Sequence, residues 1–135
     1  MKNTLLVIAV LLVGACATTP TVKSVSGTYE MKGKDAGRTL RYIFLENGVV
    51  EGYTKGERWK EAKWSINKEV EIHIEEKEWI EIFRINKDGS ITIIGGITGG
   101  KRVDLRKEEQ HTFKKSNNPP TPRPNPNQVL IVQRP

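Results

Sequence analysis

The chain is poor in cysteine. Of its 135 residues only Cys16 is a cysteine, so no internal disulfide is available and a folded unit must be held by its own core. Histidine is nearly as scarce. His73 and His111 each lack a second histidine or a cysteine at ligand spacing, which excludes the usual zinc and transition-metal sets. Long apolar runs are missing too. The longest, from Leu5 to Val13, falls well short of the roughly 20 residues that a membrane-crossing helix needs. No segment keeps a helical period for long. There is no nucleophile elbow, no serine set beside a histidine and a carboxylate, and no phosphate-cradling motif. The glycine-rich stretch Gly95-Gly96-Ile97-Thr98-Gly99-Gly100 lacks the Lys-Ser/Thr that would make it one, and reads as a flexible loop at the rim of a fold. A basic stripe with interleaved aromatics is also absent. The net charge of +6 is spread as lysines and arginines alternating with glutamates, which argues against a nucleic-acid partner. These absences together predict a protein that is not an enzyme and holds no metal.

What is present begins at the amino end. Met1-Lys2-Asn3 is a short basic start, residues 5–13 are apolar, and Val13-Gly14-Ala15-Cys16 offers a small-residue cleavage site. This is the three-part layout of a secretory signal. With a cysteine directly after Gly-Ala, the segment resembles the lipobox of bacterial lipoproteins. The resemblance implies that residues 1–15 are removed and that the thiol of Cys16 is lipidated, leaving a covalent lipid as the only attached group. One acyl chain, at about 0.8 kcal/mol per buried methylene, binds a bilayer marginally, and two or more hold stably. Ala17, where inner-membrane retention would need an aspartate, implies by the same resemblance an outer-membrane protein facing the periplasm.

Composition divides the remainder. Residues 16–24 are rich in Thr, Ser and Pro and read as a tether. Residues 25–115 are the folded unit, small for a domain. Residues 116–135 are a proline-rich extended tail closing on Val129-Leu130-Ile131-Val132. That apolar end reads either as a strand added to this domain's edge or a partner's, or as chance hydrophobes on a free end.

Period-2 alternation governs the folded unit. Leu40, Tyr42 and Phe44 share one face, as do Ala62, Trp64 and Ile66, and Val70, Ile72 and Ile74. Asn47-Gly48 between two apolar runs predicts a type I′ hairpin. Asn86-Lys87-Asp88-Gly89 predicts a type I turn with glycine in the left-handed position. Gly95-Gly96 and Gly99-Gly100 bracket a bend or bulge near Ile97. About eight strands result, over 27–31, 39–45, 49–53, 59–66, 69–75, 79–85, 90–95 and 110–114, with 101–109 a loop or a single helical turn. Short antiparallel strands of this kind close into an up-and-down barrel, which removes exposed edges.

Ser26-Gly27-Thr28-Tyr29-Glu30, the Asn-Gly hairpin and Trp64-Ser65-Ile66 resemble the small lipocalin-like barrels of bacterial lipoproteins, over residues 25–115. The copper-stress members of that group carry a Cys-x-x-Cys, and this chain has none. The fold class predicted is therefore all-β, a small antiparallel lipocalin-like barrel.

Among the large side chains, Trp59, Trp64, Tyr42 and Phe44 are the candidate ligand-binding residues, since a small barrel has room for side chains and one small ligand. Trp59 stands out because its parity is opposite to that of Ala62, Trp64 and Ile66. Glu69, Glu71, Glu75, Glu76, Glu78 and Glu81, with Lys68 and Lys77 interleaved, read as a solvated face carrying an exposed His73. Two functions are expected: an envelope lipoprotein that binds a small apolar or amphipathic molecule, or a module that docks another envelope protein.

Overall fold

A computed structural model of the chain describes residues 19–33 and 37–117. The signal segment, Cys16 and the apolar end at 129–132 lie outside the described residues. After a four-residue helix α1 (Val22–Val25) come β1 (Gly27–Lys32), β2 (Thr39–Phe44), β3 (Val49–Thr54), β4 (Glu57–Ile66) and β5 (Glu71–Glu75). They are followed by β6 (Trp79–Ile85), β7 (Ile91–Thr98), β8 (Lys101–Asp104), a 3-10 turn (Lys107–Glu109) and β9 (His111–Ser116). All pairings are antiparallel. The sheet runs β6-β5-β4-β3-β2-β1-β9-β7-β8 and closes through β6 on β7. Eight strands thus form a closed barrel. The ninth, β8, continues the edge of β7 where β9 leaves it: β9 pairs with Ile91 to Ile93, and β8 with Gly95 to Thr98.

The eight expected strands are all present. β8 falls where a loop or helical turn was expected, because all four of its residues are exposed and no alternation marks them. The glycines also act differently from expectation. Gly95 and Gly96 lie inside β7, and Gly99-Gly100 is the tight turn into β8, with φ of 55° and 75°. The bulge sits earlier, where Ile82 pairs with Gly95 but Phe83 with Ile93.

Turn chemistry follows the positive-φ residues. Lys55 (51°) and Gly56 (82°) form a two-residue loop between paired Thr54 and Glu57, the type I′ geometry. Asn47-Gly48 is not of this type. Only Gly48 has positive φ, and its amide donates to Leu45 O, so the loop is a type I turn closed by a left-handed residue. Asn86 to Ser90 repeats that pattern with Gly89, as expected. Asn67 to Glu71 repeats it again, but with Val70 at φ 63°. A β-branched residue there is strained by about 1–3 kcal/mol. Val70 was expected to lie on the strand with Ile72 and Ile74. It closes the turn instead, and β5 begins at Glu71.

The barrel interior is packed with rings. Tyr42 touches Phe44, Phe83 and Phe113 at centroid separations of 6.2, 5.8 and 5.2 Å, and Phe44 meets Trp64 edge-on at 5.2 Å. Val50, Ile72, Ile74 and Ile91 fill the remaining space and are fully buried. Each such side chain contributes about 1.5–3 kcal/mol of apolar burial. One end of the barrel is closed by α1. Val25 is buried in it, and the Tyr29 hydroxyl donates to Val25 O at 2.7 Å. The opposite end, ringed by the 55–56, 76–78 and 99–100 turns, carries no such helix among the described residues and is the open end in this sense.

Outside the wall, Arg102 of β8 reaches back to β5 and binds the Glu71 carboxylate through both terminal nitrogens, at 2.9 and 3.0 Å. Its path crosses Ile82, whose register partners are His73 and Gly95, and Ile82 is fully buried although it faces outward. The arginine, with help from Asn67, holds the Glu71 carboxyl below the usual carboxylate range.

Candidate functional site

β4 begins with a disturbance that shapes the open mouth. Gly52 pairs with Lys60 but Tyr53 pairs with Arg58, so Trp59 is an extra residue in a bulge. Simple alternation would set Trp59 on the outer wall. The bulge turns it to the mouth, where its ring lies 5.9 Å from that of Tyr42. Gly52 makes room for it: a Cβ there would stand 3.0 Å from the indole and 2.9 Å from Lys60 Cβ. A second indole is seated in the same manner. The ring of Trp79 lies against Gly96, where a Cβ would overlap it.

Lys60 keeps the inward parity of Ala62, Trp64 and Ile66, so its side chain enters the barrel and is only 4% exposed. Its ammonium lies 2.7 Å from Glu81 Oε2 and is also paired with Glu76. The same nitrogen sits over the rings of Trp59 and Tyr42, 5.3 and 5.6 Å from their centroids. The Tyr42 hydroxyl donates to Glu81 Oε2 at 3.4 Å. Burial raises the Tyr42 phenol well above its ordinary range, and the charges of Glu81 and Glu76 raise it further, so it remains a donor. A lone buried ammonium would cost several kcal/mol. Here two carboxylates and two ring faces replace its water.

The expected acidic face is therefore divided three ways. Glu81 turns inward because it shares parity with Phe83, Glu76 sits at the rim with its side chain 42% exposed, and Glu71 serves Arg102 outside. His73 is half-buried, with Nε2 3.1 Å from Asn67 Nδ2 and 3.7 Å from Glu71. Among the described residues no group of His, Cys, Asp and Glu is arranged to hold a metal ion. No helix among them is long and apolar enough to cross a membrane.

Of the four aromatic candidates, the structure brings Tyr42 and Trp59 together at the mouth. Phe44 and Trp64 lie deeper, toward the closed end, where Trp64 Nε1 donates to Leu45 O at 3.0 Å. Sequence reasoning missed Lys60, Glu81, Trp79 and Val103. The parity of Lys60 with the core residues of β4 was the available signal. Val103 pairs with Gly96, and with Trp59 it accounts for two of the three exposed large hydrophobics, both at this end. The mouth is thus a rim of apolar side chains and the Glu76 carboxylate over the buried pair of Lys60 and Glu81. Such a site can seat an apolar group beside a charged one.

Compared with protein-family models, curated proteins and solved structures, the chain matches none.

Proposed function

We propose that this chain is a lipid-anchored protein of the bacterial cell envelope, held through acyl chains on Cys16 at the outer membrane and facing the periplasm. In this reading it is non-enzymatic and binds a small amphipathic molecule at the mouth of its barrel. The anchor half rests on the lipobox-like segment ending at Cys16. The binding half rests on one observation, that Trp59 is 48% exposed directly beside a lysine side chain only 4% exposed. An exposed indole has apolar surface to lose, and Glu76 at the rim offers a carboxylate within reach of the same ligand. The packed interior leaves the ligand at the mouth and keeps it small.

A second reading, docking of another envelope protein, draws on a different feature. β8 is a short exposed strand bound to the sheet along one side, and such an edge accepts an added strand. Native mass spectrometry of the mature protein, gently extracted from its host's envelope, separates the two. A bound mass of a few hundred daltons that is lost on activation, and is missing from Trp59→Ala, supports the mouth as a ligand site. A bare domain or a second polypeptide overturns ligand binding, and the polypeptide supports docking. Cys16→Ser is expected to leave the membrane fraction, and continued membrane association would count against the anchor.

A further inference from the structure

The segment between the proposed anchor and the barrel is shorter than its composition suggests, because its second half is fastened. Thr21 caps α1, with its hydroxyl accepting from the Ser24 amide. Val25 is buried in the barrel end, the Tyr29 hydroxyl donates to Val25 O, and Lys115 Nζ donates to Ser24 O at 2.8 Å. From Thr21 onward the chain moves with the barrel. Only Ala17, Thr18, Thr19 and Pro20 separate Cys16 from Thr21. Five steps along the chain span at most about 18 Å. β9 runs from the open end to the closed end, so the tail beyond Asn117 departs from this same end. Val22, the remaining exposed large hydrophobic, is on α1 and 42% exposed. The mouth lies at the far end of the strands. β4, with 10 residues, covers about 33 Å between the two ends.

We infer that the barrel stands on the phospholipid headgroup layer with α1 and the 67–70 and 86–89 turns toward it, and presents its mouth to the aqueous side. Lys23, Lys68, Lys87 and Lys115 lie at this end against Glu46, Glu69 and Asp88, so the short fastened tether sets the orientation and the small excess of positive charge acts in the same direction. The inference rests on the proposed anchor at Cys16, and its consequence is that the ligand arrives from the aqueous phase.

Because Cys16 is the only thiol, the chain beginning there can be coupled to maleimide-bearing phosphatidylcholine vesicles containing brominated lipid, which quench nearby tryptophan. Two exposed turn positions serve as probes, Lys87→Trp at the closed end and Lys77→Trp at the mouth, with circular dichroism confirming that each variant is folded. The emission added by Lys87→Trp is expected to fall severalfold on coupling. The emission added by Lys77→Trp is expected to stay unchanged. Equal quenching of both probes, stronger quenching of Lys77→Trp, or quenching of neither would overturn the orientation. Chemical coupling makes this outcome independent of whether cells acylate Cys16, which the Cys16→Ser fractionation reads separately.

Discussion

The two ends of this barrel are made from the same strands and solve opposite problems. At the closed end, Trp64 and Ile66 of β4 share one cluster with Phe44, Val25 and Ile85, and the Tyr29 hydroxyl and the Trp64 indole each donate to a backbone carbonyl. At the open end the same strand face carries Lys60, and its neighbour across the barrel is Glu81. One end is held by apolar area and ring contacts, and the other by a charge pair that only compensates its own desolvation. The closed end should therefore carry the stability, while the open end keeps chemistry that stability does not require. Such a division is common where a site is built on a rigid support.

The comparison can be broken at several points. Trp64→Ala, in the closed half, is expected to lose about 3–5 kcal/mol through lost burial and the cavity left behind. Chemical denaturation would read this, and a loss below about 1 kcal/mol would mean that the closed end is not the support. Glu81→Leu removes the buried partner of Lys60 and is expected to cost about 3 kcal/mol. The double variant Lys60→Met with Glu81→Leu should recover to within about 1 kcal/mol of the native chain, since an apolar pair needs no compensation. Failure of the second substitution to restore stability would show that the pair contributes net stability of its own. The smallest effect expected is at the closed end's own flaw. Val70→Gly relieves the left-handed strain in the third turn and should raise stability by about 1 kcal/mol. A melting temperature that falls would show that contacts of the valine outweigh its strain.

Much of the architecture was legible in the sequence because period-2 alternation is a local property. Tyr42 and Phe44, or Ile72 and Ile74, declare a buried face with no knowledge of what packs on it. The Asn86 to Gly89 turn was legible for the same reason, since glycine's access to positive φ is intrinsic. Three things were not. Asn47-Gly48 was given the wrong turn class because strand register, here set so that Leu45 accepts from Gly48, decides between two loops with one sequence signature. β8 was missed because an exposed edge strand has no buried face to alternate. The geometry that turns Trp59 to the mouth was not legible because counting parity fails across a bulge, and the bulge shows itself only when Gly52 and Tyr53 choose their partners.

By itself, then, the sequence determined eight of the nine described strands and the aromatic stock of the core, since each depends on neighbours a few residues away, and the barrel was inferred from the number and spacing of those strands. Tertiary structure alone decided that Lys60 is buried. A lysine in isolation signals a solvated surface, and it becomes an interior residue only when closure brings Glu81, twenty-one positions later, to its ammonium. The same closure placed α1 in one end of the barrel and two indoles on Gly52 and Gly96 at the other. Those placements rest on contacts between distant strands, which no local pattern in the chain encodes.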